Sequence, residues 1–272
     1  MGKDLDELIK TMNTEIVHVI DWLKLNKLSL NLKKTHFIIF RRRRVKIKVN
    51  EELTINDVKI EMKDNTKFLG VMIDNCLSFK EHIHYIRGKV ARGLGLLYKC
   101  RRLVNHSTLL TLYNSFIYPY FNYCISAWGN TFELYLHPLI MLQKRAVRLI
   151  NGVRRRTHTD PLFKKCRILK LQQIYVYTVQ SFMYKFNNNM LPEIFTDLFQ
   201  RNRNVHSRNT RNGYLFRPPL IRTEPGIRTV RVTGVRIFNY FFMKLSLDPT
   251  ISIYKASLRE LIVQNDITML SI

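Results

Sequence analysis

Residues 79–100 read FKEHIHYIRGKVARGLGLLYKC, and this stretch decides the fold class. Its large apolar residues recur every three or four positions, which is the spacing of one helical face. The stripe consists of Phe79, Ile83, Ile86, Val90, Leu94 and Leu97, and cations such as Lys80, Arg87, Lys89, Arg92 and Lys99 surround it. The pattern predicts a helix with one buried face and a basic remainder.

Towards the C terminus the helical pattern continues, and helices are predicted over 107–119, 133–150, 170–187, 234–244 and 250–264. The segment 103–132 carries no Asp, Glu, Lys or Arg, but its asparagines and a proline would be costly in lipid. We therefore expect it to be buried in protein and not in a membrane. Between 201 and 236, arginines and prolines predominate, which predicts a loop-rich connector.

Towards the N terminus, the spacing of the apolar residues changes from helical to β-prone after residue 25. Residues 4–25 have helical spacing, and β-prone runs follow at 35–40, 45–49, 53–60 and 67–73, separated by polar residues. These runs predict a small antiparallel sheet. The fold class expected is therefore α+β and predominantly helical, with regions at 1–78, 79–200 and 201–272.

The charge of the chain favours a polyanionic partner. Lys and Arg number 45 against 20 Asp and Glu, which gives a formal charge of +25, and 16 Phe and 13 Tyr are spread among the cations. Such a mixture favours nucleic acid, because aromatic rings stack on bases. An anionic membrane surface is the weaker alternative.

Four widely spaced cysteines without metal-ligand spacing are expected to be buried, reduced thiols.

Four passages occur in a distinctive order. The first is WLKLNKLSLN at 22–31, followed by Lys33-Lys34-Thr35 and the strand 36–40; the second is FLGVMID at 68–74. The third comprises Leu112-Tyr113, Pro119-Tyr120, Tyr123-Cys124 and Ala127-Trp128-Gly129, and the fourth is LQKRAVRLI at 142–150. Together with residues 206–211, this ordered set resembles the C-terminal portion of non-LTR, LINE-type, jockey-like retrotransposon reverse transcriptases.

The resemblance implies a division of the chain. Residues 1–78 would be a palm remnant with polymerase motifs D and E, 79–200 a helical thumb and connection region, and 201–272 an arginine-rich C-terminal region. The parent enzyme would be an RNA-directed DNA polymerase that uses Mg²⁺ and primes on nicked chromosomal DNA. The expected partners are RNA and DNA in the form of a template–primer duplex. No membrane partner is expected, and the expected localisation is the nucleus or the cytoplasm.

Catalytic carboxylates are missing from the sequence. Two-metal nucleotidyl transfer needs clustered carboxylates, and the chain contains no Asp-Asp pair. Asp4 and Asp6 are two positions apart and diverge on a helix, where they suit its N-terminal dipole. We therefore expect the fragment alone to be inactive and to hold no metal or other cofactor.

The resemblance also implies site residues. Lys34 matches the motif D lysine, a general acid, and Phe68, Leu69 and Gly70 match the primer grip. The phosphate-binding candidates are Arg87, Lys89, Arg92, Lys144, Arg145, Arg148, Arg208 and Arg211. The simpler interpretations are a solvated lysine, a core strand ending at a turn, and solvated cations. Trp128, Tyr118, Tyr120 and Tyr123 could stack on bases, but aromatics in an uncharged helical segment favour a core position.

Two other functional classes remain open. The chain could be a stand-alone binding protein that uses the same basic surfaces without a polymerase. It could also be an inert relic of a decayed element. Binding to RNA and to hybrid duplex across a salt series separates these possibilities from a specific template–primer binder.

Overall fold

The computed structural model describes residues 5–43, 45, 51–205, 212–245 and 250–268. It divides the chain into two compact units, Met1–Ser78 and Phe79–Ile272. The fold is α+β and predominantly helical, as predicted.

The first unit combines one long helix with short strands. Helix α1 spans Leu5–Leu25, which confirms the helix predicted over 4–25. The strands are β1 (His36–Phe37), β2 (Thr54–Ile55), β3 (Val58–Lys59), β4 (Glu61–Met62), β5 (Asn65–Phe68) and β6 (Val71–Asp74). A short 3-10 turn, Leu32–Lys34, precedes β1.

The strands form three two-stranded sheets and not the single antiparallel sheet expected from the sequence. The β2–β3 and β5–β6 pairs are antiparallel hairpins, whereas β1 pairs with β4 in parallel. The observed strands are short, two to four residues each, because turns divide the β-prone runs at Asn56-Asp57 and Leu69-Gly70. The predicted strand at 45–49 lies almost wholly outside the described residues.

The core of the first unit is small. Its buried residues are Ile9, Leu53, Ile55 and Ile60. The side chain of Asn13 fastens α1 to this group, because it donates to the Glu52 carbonyl and accepts from the Thr54 amide, at 2.9 and 3.0 Å. Much of the apolar face of α1 is exposed, and Trp22 retains 57% of its accessible surface.

The second unit is helical. Its helices are α2 (Lys80–Cys100), α3 (His106–Phe116), α4 (Tyr118–Asn122), α5 (Ile125–Trp128), α6 (Glu133–Ile150), α7 (Asp160–Lys165), α8 (Leu171–Asn187), α9 (Glu224–Ile227), α10 (Val230–Phe242) and α11 (Ile251–Asn265). The predicted helices are confirmed, although the segment predicted as one helix over 107–119 ends at Phe116 and restarts at Tyr118.

The predicted stripe of α2 is buried, apart from a half-buried Phe79 at its start. It packs mainly against α6, and α8 packs against α10, α11 and α5. Gly93 allows α2 to approach α3 closely, since a Cβ there would meet the Phe116 carbonyl oxygen at 2.8 Å. Burial of these apolar stripes is the main source of stability for the unit.

The uncharged segment 103–132, which was predicted to lie in the core, buries its bulkiest side chain. Trp128 is fully buried, and its indole Nε1 donates to the Tyr123 carbonyl at 2.9 Å. Tyr118 and Tyr120 are half-buried, but the expectation was wrong for Tyr123, which is 52% exposed because it lies at the joint between α4 and α5. No helix among the described residues is long and apolar enough to cross a bilayer.

The arginine-rich connector is tied to the helices. Phe216 is buried, and the Arg201 guanidinium lies 4.7 Å from its ring centroid. The Asn239 side chain of α10 accepts from the Phe216 amide and donates to its carbonyl. Helix α10 begins at Val230, before the predicted start at 234.

The cysteines are free thiols, as expected, but none of the four is fully buried. Cys76, Cys100 and Cys166 are half-buried and Cys124 is exposed. The expectation of burial was wrong because these cysteines lie at the ends of elements, at the periphery of the packed faces.

Candidate nucleic-acid interface

The last two turns of α6 present three cations on one face. Lys144, Arg145 and Arg148 lie within five positions, so the helix projects them to the same side. The opposite side, which includes Gln143, Ala146 and Val147, is buried. The amphipathic pattern thus directs the basic residues outward because the apolar ones are held by the core.

The loop after α6 extends this basic face. The Arg148 Nε donates to the Thr157 carbonyl at 2.8 Å, and the Val153 amide donates to the Arg148 carbonyl. These bonds fold the loop back against the end of the helix. We call the resulting set the α6 basic surface; its members are Lys144, Arg145, Arg148 and the exposed Arg154, Arg155 and Arg156.

Few acids offset this charge. Within the described ranges, no ion pair involves any member of the α6 basic surface. The nearby Asp160 is instead paired with Lys170 at 2.8 Å, and this hydrogen bond lowers the pKa of the Asp160 carboxyl. The charge of Lys144 also contributes to this lowering of the pKa, but an anion approaching the surface would meet cations without an ion-pair partner among the described residues.

The cations of α2 do not form one group. Arg87 and Lys89 are two positions apart and point to different sides of the helix. Lys89 and Arg92 share a side with the exposed Tyr85, and the Lys89 ammonium lies 5.3 Å from the Tyr85 ring centroid. This side thus offers cations beside an aromatic ring, the combination that suits single-stranded nucleic acid.

The tip of the β5–β6 hairpin is exposed. Phe68 and Leu69 retain 61% and 74% of their accessible surface, so the alternative in which they belong to a core strand is wrong. Leu69 and Gly70 both have positive φ, 44° and 85°, and form a two-residue turn. The turn directs two large apolar side chains into solvent because Phe68 and Leu69 flank the point where the chain reverses.

Lys34 is an exposed residue at the end of the 3-10 turn. Its backbone carbonyl lies 3.1 Å from the Nδ1 of His36, and the other ring nitrogen of His36 contacts Thr66 of β5. The structure thus ties the backbone beside Lys34 to the hairpin. Its role as a general acid stays a prediction.

The part of the chain that the structure describes contains no cluster of metal-ligating side chains. There, no group of three or more His, Cys, Asp or Glu side chains is close enough to hold a metal ion. The residues that the structure describes therefore supply no carboxylate cluster that fits Mg²⁺.

Arg208 and Arg211 lie outside the described residues. The sequence marks Arg154, Arg155 and Arg156 as the exit of the α6 helix, and a run of three arginines after an Asn-Gly turn is the signal that could have identified them as candidates. The bond from Arg148 to Thr157, which brings the run beside the helix, depends on folding.

Comparisons with known proteins point to one group. The chain is 26% identical over 136 residues to the probable RNA-directed DNA polymerase from transposon X-element of Drosophila melanogaster, covering 48% of this chain and 14% of that protein. It is 26% identical over 104 residues to the RNA-directed DNA polymerase from mobile element jockey of Drosophila funebris, covering 37% of this chain and 11% of that protein.

No protein-family model and no solved structure matches the chain. The matched segments span about one seventh and one ninth of the two relatives. These similarities support a relationship between this chain and the reverse transcriptases of non-LTR retrotransposons.

Proposed function

We propose that this chain is a C-terminal portion of a retrotransposon RNA-directed DNA polymerase and that it binds the RNA–DNA template–primer duplex. The observation that carries the proposal is the α6 basic surface. It has six cations, at the end of α6 and in the loop that follows, and none of the six forms an ion pair among the described residues. The similarity to the two transposon polymerases agrees with a nucleic-acid partner.

Chemically, this surface would position a duplex and not transform it. Arginine guanidinium groups form paired hydrogen bonds with phosphate oxygens, and lysines add point charges, so six cations at the end of α6 and in the loop after it suit a phosphate backbone. The exposed Phe68 and Leu69 of the hairpin would contact the primer strand, as the resemblance implies. Catalysis would need carboxylates and Mg²⁺ supplied from outside the chain, and the protein would act in the nucleus or cytoplasm.

The test is fluorescence anisotropy of the full chain with a fluorescein-labelled 20-base-pair RNA–DNA hybrid, at 50 to 200 mM salt. If 6 to 10 phosphates are contacted, affinity falls by about 10³–10⁵-fold over this range. Lys144→Gln with Arg145→Gln should reduce the slope of log K against log salt by about 2, because two phosphate contacts are lost.

The matched control removes the same charge elsewhere. Arg231→Gln with Arg236→Gln changes two exposed arginines of α10 and should leave the slope nearly unchanged. Equal weakening in the two double variants would show that binding follows net charge and not this surface. A flat salt response of the unaltered chain would contradict nucleic-acid binding altogether.

A primer-extension assay checks the expected lack of catalysis. The chain alone, with hybrid template–primer, deoxynucleotides and Mg²⁺, should incorporate nothing. Incorporation would refute the proposal that the catalytic carboxylates lie outside it. Equal affinity for random duplex DNA and hybrid would instead favour a stand-alone, general binding protein, the alternative function.

A further inference from the structure

A cavity opens in the helical unit between α3, the turn after α7 and α11. Its volume is about 480 Å³, within the range of roughly 300–1,000 Å³ typical of small-molecule sites. Two arginines, Arg167 and Arg259, lie in its wall together with the phenol of Tyr118 and the amide of Asn114. The lining thus combines two cations with flat and hydrogen-bonding groups.

The two arginines form a positive edge. The Arg259 Nη2 donates to the Arg167 carbonyl at 2.9 Å, which holds α11 against the turn. Among the ion pairs of the described residues, none involves either guanidinium. Arg259 is also close enough to Tyr118 that its charge opposes the rise that burial causes in the pKa of that phenol. An anionic group would therefore bring a balancing charge to this edge.

The backbone at Arg167 is strained. It has φ of 52°, in the left-handed region that glycine occupies most readily, directly after α7. Its amide donates to the Lys164 carbonyl, as in a helix end that usually carries glycine. The chain thus has a long cationic side chain at the rim of the cavity, at a position whose φ glycine adopts with less strain. This strain is consistent with a binding role.

The cavity wall is connected to the α6 basic surface through one buried side chain. Gln143 precedes Lys144, and its Nε2 donates to the Tyr113 hydroxyl at 3.0 Å and to the Leu169 carbonyl at 2.9 Å. Tyr113 and Leu169 both line the cavity. Gln143 thus ties the C-terminal half of α6, whose other side carries the α6 basic surface, to two residues of the cavity wall.

We propose that this cavity binds a single unpaired nucleotide of the bound nucleic acid, with its phosphate between Arg167 and Arg259 and its base against Tyr118. The inference rests on the proposed function and deepens it. Guanidinium groups pair with phosphate oxygens, and aromatic rings accept any base by stacking, so the site would be tolerant of sequence.

Direct binding tests the proposal first. Anisotropy compares the blunt hybrid duplex with the same duplex carrying one unpaired 3′ nucleotide. The overhang should increase affinity roughly 5- to 150-fold, the gain expected from stacking one base. Equal affinity for the two duplexes would overturn the proposal.

Cysteine footprinting locates the site. Cys166 lines the cavity, whereas the exposed Cys124 does not, so the two serve as reporter and internal control. The overhang duplex should slow the reaction of Cys166 with N-ethylmaleimide, measured by mass spectrometry, and leave Cys124 unchanged. Unaltered labelling of Cys166 at saturating overhang duplex would overturn the proposal. Protection by adenosine monophosphate but not by the overhang would also overturn it and assign the cavity to free nucleotides.

Arg167→Gly separates binding from folding. Glycine relieves the positive φ, so the variant should be at least as stable as the unaltered chain, yet it should lose most of the overhang advantage. Arg236→Gln removes the same charge from α10 and should keep that advantage. An undiminished advantage in Arg167→Gly would refute the assignment.

The two proposals fail differently. If the blunt duplex binds with the expected salt dependence and the overhang adds nothing, the nucleotide site alone is refuted. If neither duplex binds, the proposed function fails and the cavity proposal falls with it.

Discussion

His82 is a titratable group inside the helical core. It is 2% exposed, and its ring meets Trp128 edge-on at a centroid distance of 5.6 Å. Burial lowers the pKa of His82 from 6.5 to about 4, because the charged imidazolium would lose its hydration. The folded protein thus holds this histidine neutral at pH values where the unfolded chain binds a proton.

We predict that stability falls as the pH is lowered from 6.5 to about 4. In this window the unfolded state binds more protons at His82 than the folded state, so acid favours unfolding. At about 1.36 kcal/mol per pKa unit, the loss attributable to His82 reaches up to ~3 kcal/mol at the lower end. Urea unfolding at pH 7, 5.5 and 4.5 measures it.

His82→Phe keeps a buried ring and removes the titration, so its pH dependence over this window should be flatter. His84→Gln, on the exposed side of the same helix, is the matched control and should retain the full dependence. A steep loss that persists in His82→Phe would show that another group is responsible.

Gln143 joins three elements through one side chain. Besides its donations to Tyr113 and Leu169, its Oε1 accepts from the Leu171 amide at 2.9 Å. Gln143→Leu would leave the Leu169 carbonyl and the Leu171 amide unsatisfied in the core, at about 1–3 kcal/mol each. We therefore expect a loss of about 2–6 kcal/mol in the free energy of unfolding.

Chemical denaturation measures this loss, and Gln172→Leu is the control. Gln172 is half-buried on α8, so the same substitution there should change stability by less than about 1 kcal/mol. Similar losses of unfolding free energy in the two variants would mean that the Gln143 hydrogen bonds do not stabilise the fold more than a half-buried glutamine does.

At the level of elements, the helices and most of the strand positions could be predicted, but the pairing of the strands could not. The stripes of α2 and α6 are local patterns, and a helix satisfies its own backbone, so their bounds follow from the nearby sequence. The pairing of β1 with β4 joins residues 25 positions apart, His36 with Glu61, and no local signal specifies it.

The candidate site shows the same division. The outward direction of Lys144, Arg145 and Arg148 follows from helical spacing. The return of the arginine loop depends on the bond from Arg148 to Thr157, and the cavity wall on Gln143, which the sequence presents as one more polar residue of an amphipathic helix. Such contacts follow from tertiary packing and not from periodicity.

The β5–β6 hairpin carries a prediction at this scale. Its turn places leucine at a left-handed position where asparagine is the preferred residue before glycine. Leu69→Asn should stabilise the hairpin by about 0.5–1 kcal/mol, because asparagine tolerates this conformation better. Hydrogen exchange of the hairpin amides should slow by roughly 2- to 5-fold if they exchange through opening of the hairpin.

The same substitution tests the function of the tip. If Leu69 contacts a primer strand, Leu69→Asn should weaken binding of hybrid duplex even though the hairpin is more stable. Asn56→Gly in the β2–β3 turn is a control for a change at another hairpin and should leave binding unaffected. Unchanged affinity in Leu69→Asn would contradict a primer contact at this position.

The two units of the molecule differ in how much apolar surface they bury. Among the described residues, the first has a core cluster of four buried apolar residues, whereas the core of the second extends from α2 to α11. Stability rises with the apolar area removed from water, so the first unit should be the weaker one. The chain has two tryptophans, exposed Trp22 in the first unit and buried Trp128 in the second, so each unit carries its own fluorescent probe.

We predict that the units unfold at different urea concentrations. In Trp22→Phe, fluorescence reports Trp128 alone, and its midpoint should lie above the urea concentration at which the β5–β6 amides lose exchange protection. Trp22 is mostly exposed, so its replacement should leave far-UV circular dichroism unchanged, which serves as the control. Coincident loss of both signals would mean that the chain unfolds as one cooperative body and would contradict the prediction.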